Sequence, residues 1–299
     1  IVLDQLPIQF YEEKQKKQFY LVLKKISNAN LNIVVMKTFT YLPKIFDSAL
    51  KVHCDLDLLV PTDSFKKTVN LLSRLGYKYV FDSSRADKKF SSSHSVDFYL
   101  PKSQEVFKKN GYTVELHATV VDSFPFLLNS LDLEKNQKMT QELYNNSVKT
   151  SYKDLIVKAF SPSAVILNFF LHSFFQHNLQ SALTFYEFAH LIKAFNKKID
   201  WNFIMLFTEK YDLQSFFLWF LCLFNEFYPH ILPPVVQKKV NKYKNSLQIP
   251  QLFLFYYMRY KVFNHTNFFG NYEKERQKEW AWTIINKNLL KFIYLKIKK

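Results

Sequence analysis

The sequence predicts an α+β protein: a small mixed β-sheet with flanking helices over residues 1–155, followed by an all-helical C-terminal domain over residues 156–299. Three observations carry the prediction. Short runs rich in β-branched and aromatic residues alternate with helical stretches through the first half, the pattern of a sheet covered by helices. Near residue 150 the texture changes, and Ser161-Pro162-Ser163 opens a series of aromatic-rich helical segments without clear strands. Finally, 299 residues at 48% hydrophobic content suffice for one large domain or two ordinary ones.

Taken in order, residues 9–28 read as an amphipathic helix, with Glu12, Glu13, Lys14, Lys16 and Lys17 on one side and an apolar face behind. Residues 33–36 are a short, partly β-branched strand, and residues 38–49 a helix despite Pro43. The next strand is Val52-His53-Cys54-Asp55-Leu56-Asp57-Leu58-Leu59-Val60, ended by Pro61. Thr62 is placed as the N-cap of a helix over residues 64–75, with Gly76 as its stop. Residues 77–81 and 95–100 follow as strands, and residues 101–111 connect the latter to an alternating strand over 112–120. The C-terminal helices are expected over 163–177, 180–196, 200–212, 214–228, 234–246, 250–262 and 272–297.

Composition excludes several functions. Glycine occurs only at Gly76, Gly111 and Gly270, too far apart to build a GxxxxGK[ST] phosphate loop or a GxGxxG dinucleotide fingerprint. A formal charge of +16 points to an anionic partner such as a nucleotide, RNA or a membrane surface. An AT-rich coding bias produces the same abundance of Lys, Phe, Tyr, Asn and Ile, and both readings stay open. Cys54 and Cys222 form neither a disulfide framework nor a zinc pattern, which favours an intracellular, reducing compartment. The longest apolar run, residues 216–224, is too short to cross a bilayer. Because the sequence starts at Ile1 rather than Met, a targeting segment cannot be assessed.

Chemistry concentrates at Asp55 and Asp57. Residues i and i+2 of a strand share a face, so the two carboxylates emerge side by side within a run that otherwise reads as buried. Like charges so placed repel, and their burial is costly unless a cation sits between them. Oxygen ligands of this kind suit Mg²⁺, which completes its shell with water and substrate phosphates. The pattern points to metal-assisted phosphoryl or nucleotidyl transfer.

The ordered set of Lys37, Asp55 with Asp57, and Glu115 on a later strand resembles the nucleotidyltransferase superfamily that includes DNA polymerase β. Within it the chain resembles the bacterial "uncharacterised nucleotidyltransferase" type. That type has a Lys-Gly start to its first helix, an Arg four residues before a D-I-D-L-L-V strand, and a later D-L-H strand. In its helical half an L-H segment precedes a W-L-x-D-L-A segment. The matching residues are Lys37 and Thr38, Lys51, Asp55 to Val60, Val114-Glu115-Leu116-His117, Leu171-His172 with His177 following, and Phe185-Tyr186-Glu187-Phe188-Ala189. The resemblance spans roughly residues 30 to 235. It implies a nucleotidyltransferase core, two Mg²⁺ ions held by Asp55, Asp57 and Glu115, and a nucleoside triphosphate such as ATP as substrate. Lys37, Thr38 and Lys51 would contact the triphosphate. Thr38 stands where the family has Gly, and Lys51 where it has Arg, so the phosphate-holding side departs from the pattern while the acidic side keeps it.

Other candidates carry a competing role. Asp97 is an alternative to Glu115 as third ligand. His117 shares a face with Glu115 and can orient it, touch substrate or serve as a structural histidine. His172, His177 and His190 lie on apolar helices without a carboxylate at convincing metal spacing, and the aromatic stripe of that half reads as core. The basic, amphipathic residues 280–299 suit RNA, an anionic membrane or a partner protein. Two functions follow: an active Mg²⁺-dependent nucleotidyltransferase with an RNA end, a small molecule or a protein hydroxyl as acceptor, or a catalytically lapsed relative that serves as an RNA-binding or structural subunit of a larger complex.

Overall fold

A computed structural model describes residues 6–36, 55–80, 104–121, 133–176 and 182–247. The expected helices over 38–49, 250–262 and 272–297 and the strand over 95–100 lie outside these residues, as do Lys37, Thr38, Lys51, Cys54, Asp97 and His177. Contacts divide the chain into two units, one of Ile1–Ser123 and Gln137–Val165, the other of Phe124–Asn136 and Ile166–Lys299.

The first unit is built on a mixed sheet. Its elements are α1 (Leu6–Asn28), β1 (Val34–Val35), β2 (Asp55–Leu59), α2 (Thr62–Arg74), β3 (Lys78–Val80), β4 (Gln104–Lys109) and β5 (Tyr112–His117). After these come α3 (Leu133–Asn145), which belongs to this unit from Gln137 onward, β6 (Ser147–Tyr152) and β7 (Leu155–Phe160). The seven strands lie in the order β3-β4-β5-β2-β1-β7-β6. The pairs β2–β5 and β1–β7 are parallel and the remaining four antiparallel. Alternation sends Val35, Leu56, Leu58, Phe107, Val114 and Leu116 to one face, where they pack with Phe19, Val22, Leu23 and Ile26 of α1 and with Phe65 and Leu72 of α2. The four α1 residues recur at i, i+3, i+4 and i+7, the spacing of one helical face.

The helix α2 ends in a complete glycine-terminated cap. Gly76 takes φ +82°, its N–H donates to Ser73 O, and Tyr77 N–H donates to Leu72 O, the two bonds of a Schellman motif. Lys109 Nζ adds a bond of 2.6 Å to Leu75 O, a cation at the negative end of the helix. At the other end the expectation for Thr62 needs correction. Pro61 is the cap residue, no side chain caps the helix, and Thr62 is its first residue. Proline's fixed φ and missing N–H already provide the transition from strand to helix.

Three further features, comprising four elements, differ from expectation. The stretch read as a connection is β4, joined to β5 by Asn110-Gly111, both at positive φ (50° and 82°), with Lys109 opposite Tyr112. This is the type I′ hairpin that Asn-Gly favours. The second is α3, whose Met139 and Leu143 are fully buried. The third is the β6–β7 hairpin, which lies where the sequence shows no clear strands. Its two-residue turn is Lys153-Asp154, with Lys153 at φ +54°. A lysine in the left-handed region carries no turn signature, which is why the hairpin is silent in the sequence. Tyr20 OH donates to the turn's Asp154 at 2.9 Å and so holds that carboxyl below its ordinary range.

The second unit is helical: α4 (Pro162–Leu171, entered from the first unit) runs into a π-turn at His172–Gln176, followed by α5 (Ala182–Phe195), α6 (Trp201–Lys210), α7 (Gln214–Phe227) and α8 (Pro234–Asn245). Asp200 caps α6, its carboxylate accepting from Phe203 N–H at 2.9 Å. The aromatic stripe is core here. Phe170, Phe185, Phe188, Phe217, Phe220 and Phe224 are fully buried and meet edge-to-face or tilted, as at Phe170–Phe217 (5.0 Å, 72°) and Phe188–Phe220 (4.9 Å, 80°). Such geometry suits the ring quadrupoles.

Candidate metal centre

The parallel pairing of β2 with β5 brings the acidic residues together. Asp57 lies directly opposite Glu115, Asp55 opposite Thr113, and Leu59 opposite His117. Because alternation commits Leu56, Leu58, Val114 and Leu116 to the apolar core, Asp55, Asp57, Glu115 and His117 all belong to the other face. The backbone there is pinned on both sides. Met36 N–H donates to Asp57 O, and Val60 N–H donates to His117 O, each at 2.9 Å.

On that face Asp57, Glu115 and His117 converge. His117 Nε2 lies 3.0 Å from Asp57 Oδ1 and 3.6 Å from Glu115 Oε2, and one ligand atom from each residue falls within 4.8 Å of the others. Asp57 is 3% and His117 4% exposed, while the Glu115 side chain retains 16%. Two full negative charges within 4.8 Å repel by at least about 3 kcal/mol at an effective dielectric of about 20. The imidazole between them partly offsets that cost through its hydrogen bond to Asp57, and a bound cation would offset it further.

Among the described residues this is the group whose donors can hold a metal ion. It unites Asp57 and Glu115 from the expected set and adds His117. Asp55 heads the same strand, half-buried on the same face, outside that close group. Lys37, Thr38, Lys51 and the alternative ligand Asp97 fall outside the described residues. The signal for His117 was its i+2 spacing from Glu115; what the sequence lacked was the register that sets it beside Asp57. His190 instead packs on Tyr186, ring centroids 4.4 Å apart, and His172 begins the π-turn. Cys222 donates to Val240 O within the second unit, and burial pushes its thiol up to about 12, which leaves little thiolate to bind metal.

A family model described as "Uncharacterised nucleotidyltransferase" matches residues 8–229. No curated protein matches the chain. Among solved structures, the antibiotic-resistance factor ANT(2″)-Ia in solution is 10% identical with a TM-score of 0.44, over 67% of this chain and 95% of that one. Its crystal structure in complex with adenylyl-2″-tobramycin is 8% identical with a TM-score of 0.42, over 67% of this chain and 97% of that one. No described helix is long and apolar enough to cross a membrane.

Proposed function

The chain belongs to the uncharacterised nucleotidyltransferase family over residues 8–229, and from that premise we propose that it transfers a nucleoside monophosphate from a nucleoside triphosphate to an acceptor hydroxyl with the help of divalent metal ions, Mg²⁺ being the ion an all-oxygen site would take. The observation that carries the reading is the convergence of Asp57 and Glu115 across β2 and β5. In the reaction the acceptor oxygen bonds to the α-phosphorus, the α-phosphorus–oxygen bond to pyrophosphate breaks, and the acceptor's proton leaves.

The donor set fits such ions, since carboxylates at this spacing gain from a cation between them. Asp55, Asp57 and Glu115 would hold two ions, which when bound neutralise triphosphate charge and lower the pKa of an attacking hydroxyl. The chain's own part is to fix these carboxylates on two hydrogen-bonded strands, so that little reorganisation remains when substrate arrives. Lys37, Thr38 and Lys51 supply cations and donors to the triphosphate in the same reading, and the sheet-bearing first unit, whose last strand β7 ends at Phe160, carries the chemistry. The acceptor is an RNA end, a small molecule or a protein hydroxyl, and the site of action is intracellular, where triphosphates are made and used. Incubation with labelled triphosphates, Mg²⁺ and each acceptor class tests the reading. Transfer is expected to require both aspartates, and transfer undiminished in the double variant Asp55→Asn/Asp57→Asn overturns it.

Thr38 and Lys51 favour a second reading. Each stands where the resembling type has Gly or Arg, and the two changes remove a close backbone approach and a bidentate phosphate contact. A lapsed member serving as an RNA-binding or structural subunit would bind no Mg²⁺–triphosphate and would co-purify with RNA or a stable complex. A titration with the four common triphosphates, with and without Mg²⁺, separates the two readings.

A further inference from the structure

The imidazole of His117 stands where an incoming ion must meet it. Its Nε2 is 3.0 Å from Asp57 Oδ1 and 3.6 Å from Glu115 Oε2. Adjacent donors around an octahedral ion with bonds of roughly 2.1 Å sit about 3.0 Å apart, so the nitrogen and the Asp57 oxygen already have the spacing of neighbouring ligands. The ring has little freedom to leave. His117 is 4% exposed, ends β5 opposite Leu59, and has its carbonyl held by Val60 N–H.

We propose that His117 Nε2 is itself a metal ligand alongside Asp57 and Glu115, and that this nitrogen makes the site select a first-row transition ion, Mn²⁺ ahead of Mg²⁺. The proposal rests on the metal-dependent transfer reading and deepens it. Two carboxylates alone make a hard oxygen site that suits Mg²⁺. Replacing one oxygen donor by imidazole shifts preference toward ions that accept nitrogen, because Mg²⁺ bonds weakly to it and sheds water reluctantly. To serve as a ligand the ring takes the neutral tautomer with its proton on Nδ1, the ion replacing the Nε2–H that donates to Asp57 in the metal-free site.

The test uses the full chain and Mn²⁺ alone. Loss of the free-ion electron paramagnetic resonance signal measures binding, Mg²⁺ competition measures selectivity, and pulsed resonance reports whether a ¹⁴N nucleus is bonded to the bound Mn²⁺. The expected result is Mn²⁺ binding tighter than Mg²⁺, with an imidazole ¹⁴N signal that His117→Gln abolishes. Mn²⁺ affinity should fall in that variant by more than Mg²⁺ affinity does. Mn²⁺ that binds without ¹⁴N coupling, loses affinity in Asp57→Asn and keeps it in His117→Gln overturns the ligand assignment and leaves the transfer reading intact. Absence of any Mn²⁺ or Mg²⁺ binding, with or without a triphosphate, overturns both. Because the wild-type spectrum decides on its own, a His117→Gln protein that fails to fold does not blunt the test.

Discussion

The two faces of the first unit's sheet are made by alternate residues of the same strands, yet they obey opposite rules. Along β2, Leu56 and Leu58 are fully buried among α1 and α2. Asp57, between them, is 3% exposed and meets Glu115 and His117 on the other side. One face gains free energy from burial, roughly 1.5–3 kcal/mol for each large apolar side chain. The other gives some back, since buried carboxylates within 4.8 Å repel. Stability and function are therefore separable at single-residue resolution: the leucines hold the register, and the register holds the acids together.

The sharpest way to break the comparison is to change neighbours on opposite faces. Asp57→Asn is expected to reduce nucleotidyl transfer by more than the roughly 10–100-fold seen for outer partners of metal ligands. Its stability should stay within about 1 kcal/mol of wild type or rise, because the amide oxygen can still accept from His117 while one of two repelling charges is gone. Leu58→Ala should do the reverse. It empties a fully buried site and is expected to cost about 2–5 kcal/mol in denaturant unfolding, while transfer per folded molecule falls far less than in Asp57→Asn. Equal loss of activity in the two variants would mean that the faces are not separable.

That contrast also explains what could be read in advance. Alternation of acid and leucine in Asp55-Leu56-Asp57-Leu58 declares both faces at once, and the acidic pair was visible for the same reason. The five described C-terminal helices were legible because their apolar periods leave little choice of structure. Pairing across strands was not legible. Nothing local says that β2 adopts the register placing Asp57 beside Glu115 and within reach of His117, since register is settled by the packing of the whole apolar face. The β6–β7 hairpin was silent because Lys153 turns the chain without glycine. Its counterpart at Asn110-Gly111, within the stretch expected to be a connection, does carry a strong turn signal.

A smaller effect tests how far the register depends on that signal. Gly111→Ala places a Cβ at φ +82°, a conformation that costs an L-residue about 1–2 kcal/mol. The hairpin positions β4 against β5 through six residue pairs, Glu115 with Val106 among them. Unfolding should therefore shift by that amount with transfer nearly unchanged, because Glu115 is also held from the β2 side. A loss of metal binding larger than the loss of stability would show that the turn, rather than the apolar face, sets the acidic geometry.

The smallest expected change lies at the rim of the apolar face. Lys109 reaches from β4 to the end of α2, donating to Leu75 O at 2.6 Å, with its ammonium 5.9 Å from the centre of the Tyr77 ring. Lys109→Met keeps the aliphatic stem and removes only the charge and the donor. The loss should be about 1 kcal/mol, in keeping with one hydrogen bond at a helix terminus, and high salt should narrow the gap between variant and wild type as it screens the helix-end charge. Such a change alters how tightly α2 sits on the leucines while leaving the carboxylates untouched. If thermal unfolding shifts by the expected amount and Mn²⁺ affinity stays constant, the apolar face can vary in strength without moving the acids. If affinity falls in step with stability, the sheet transmits strain from one face to the other, and the acidic group depends on α2 packing as well as on strand register.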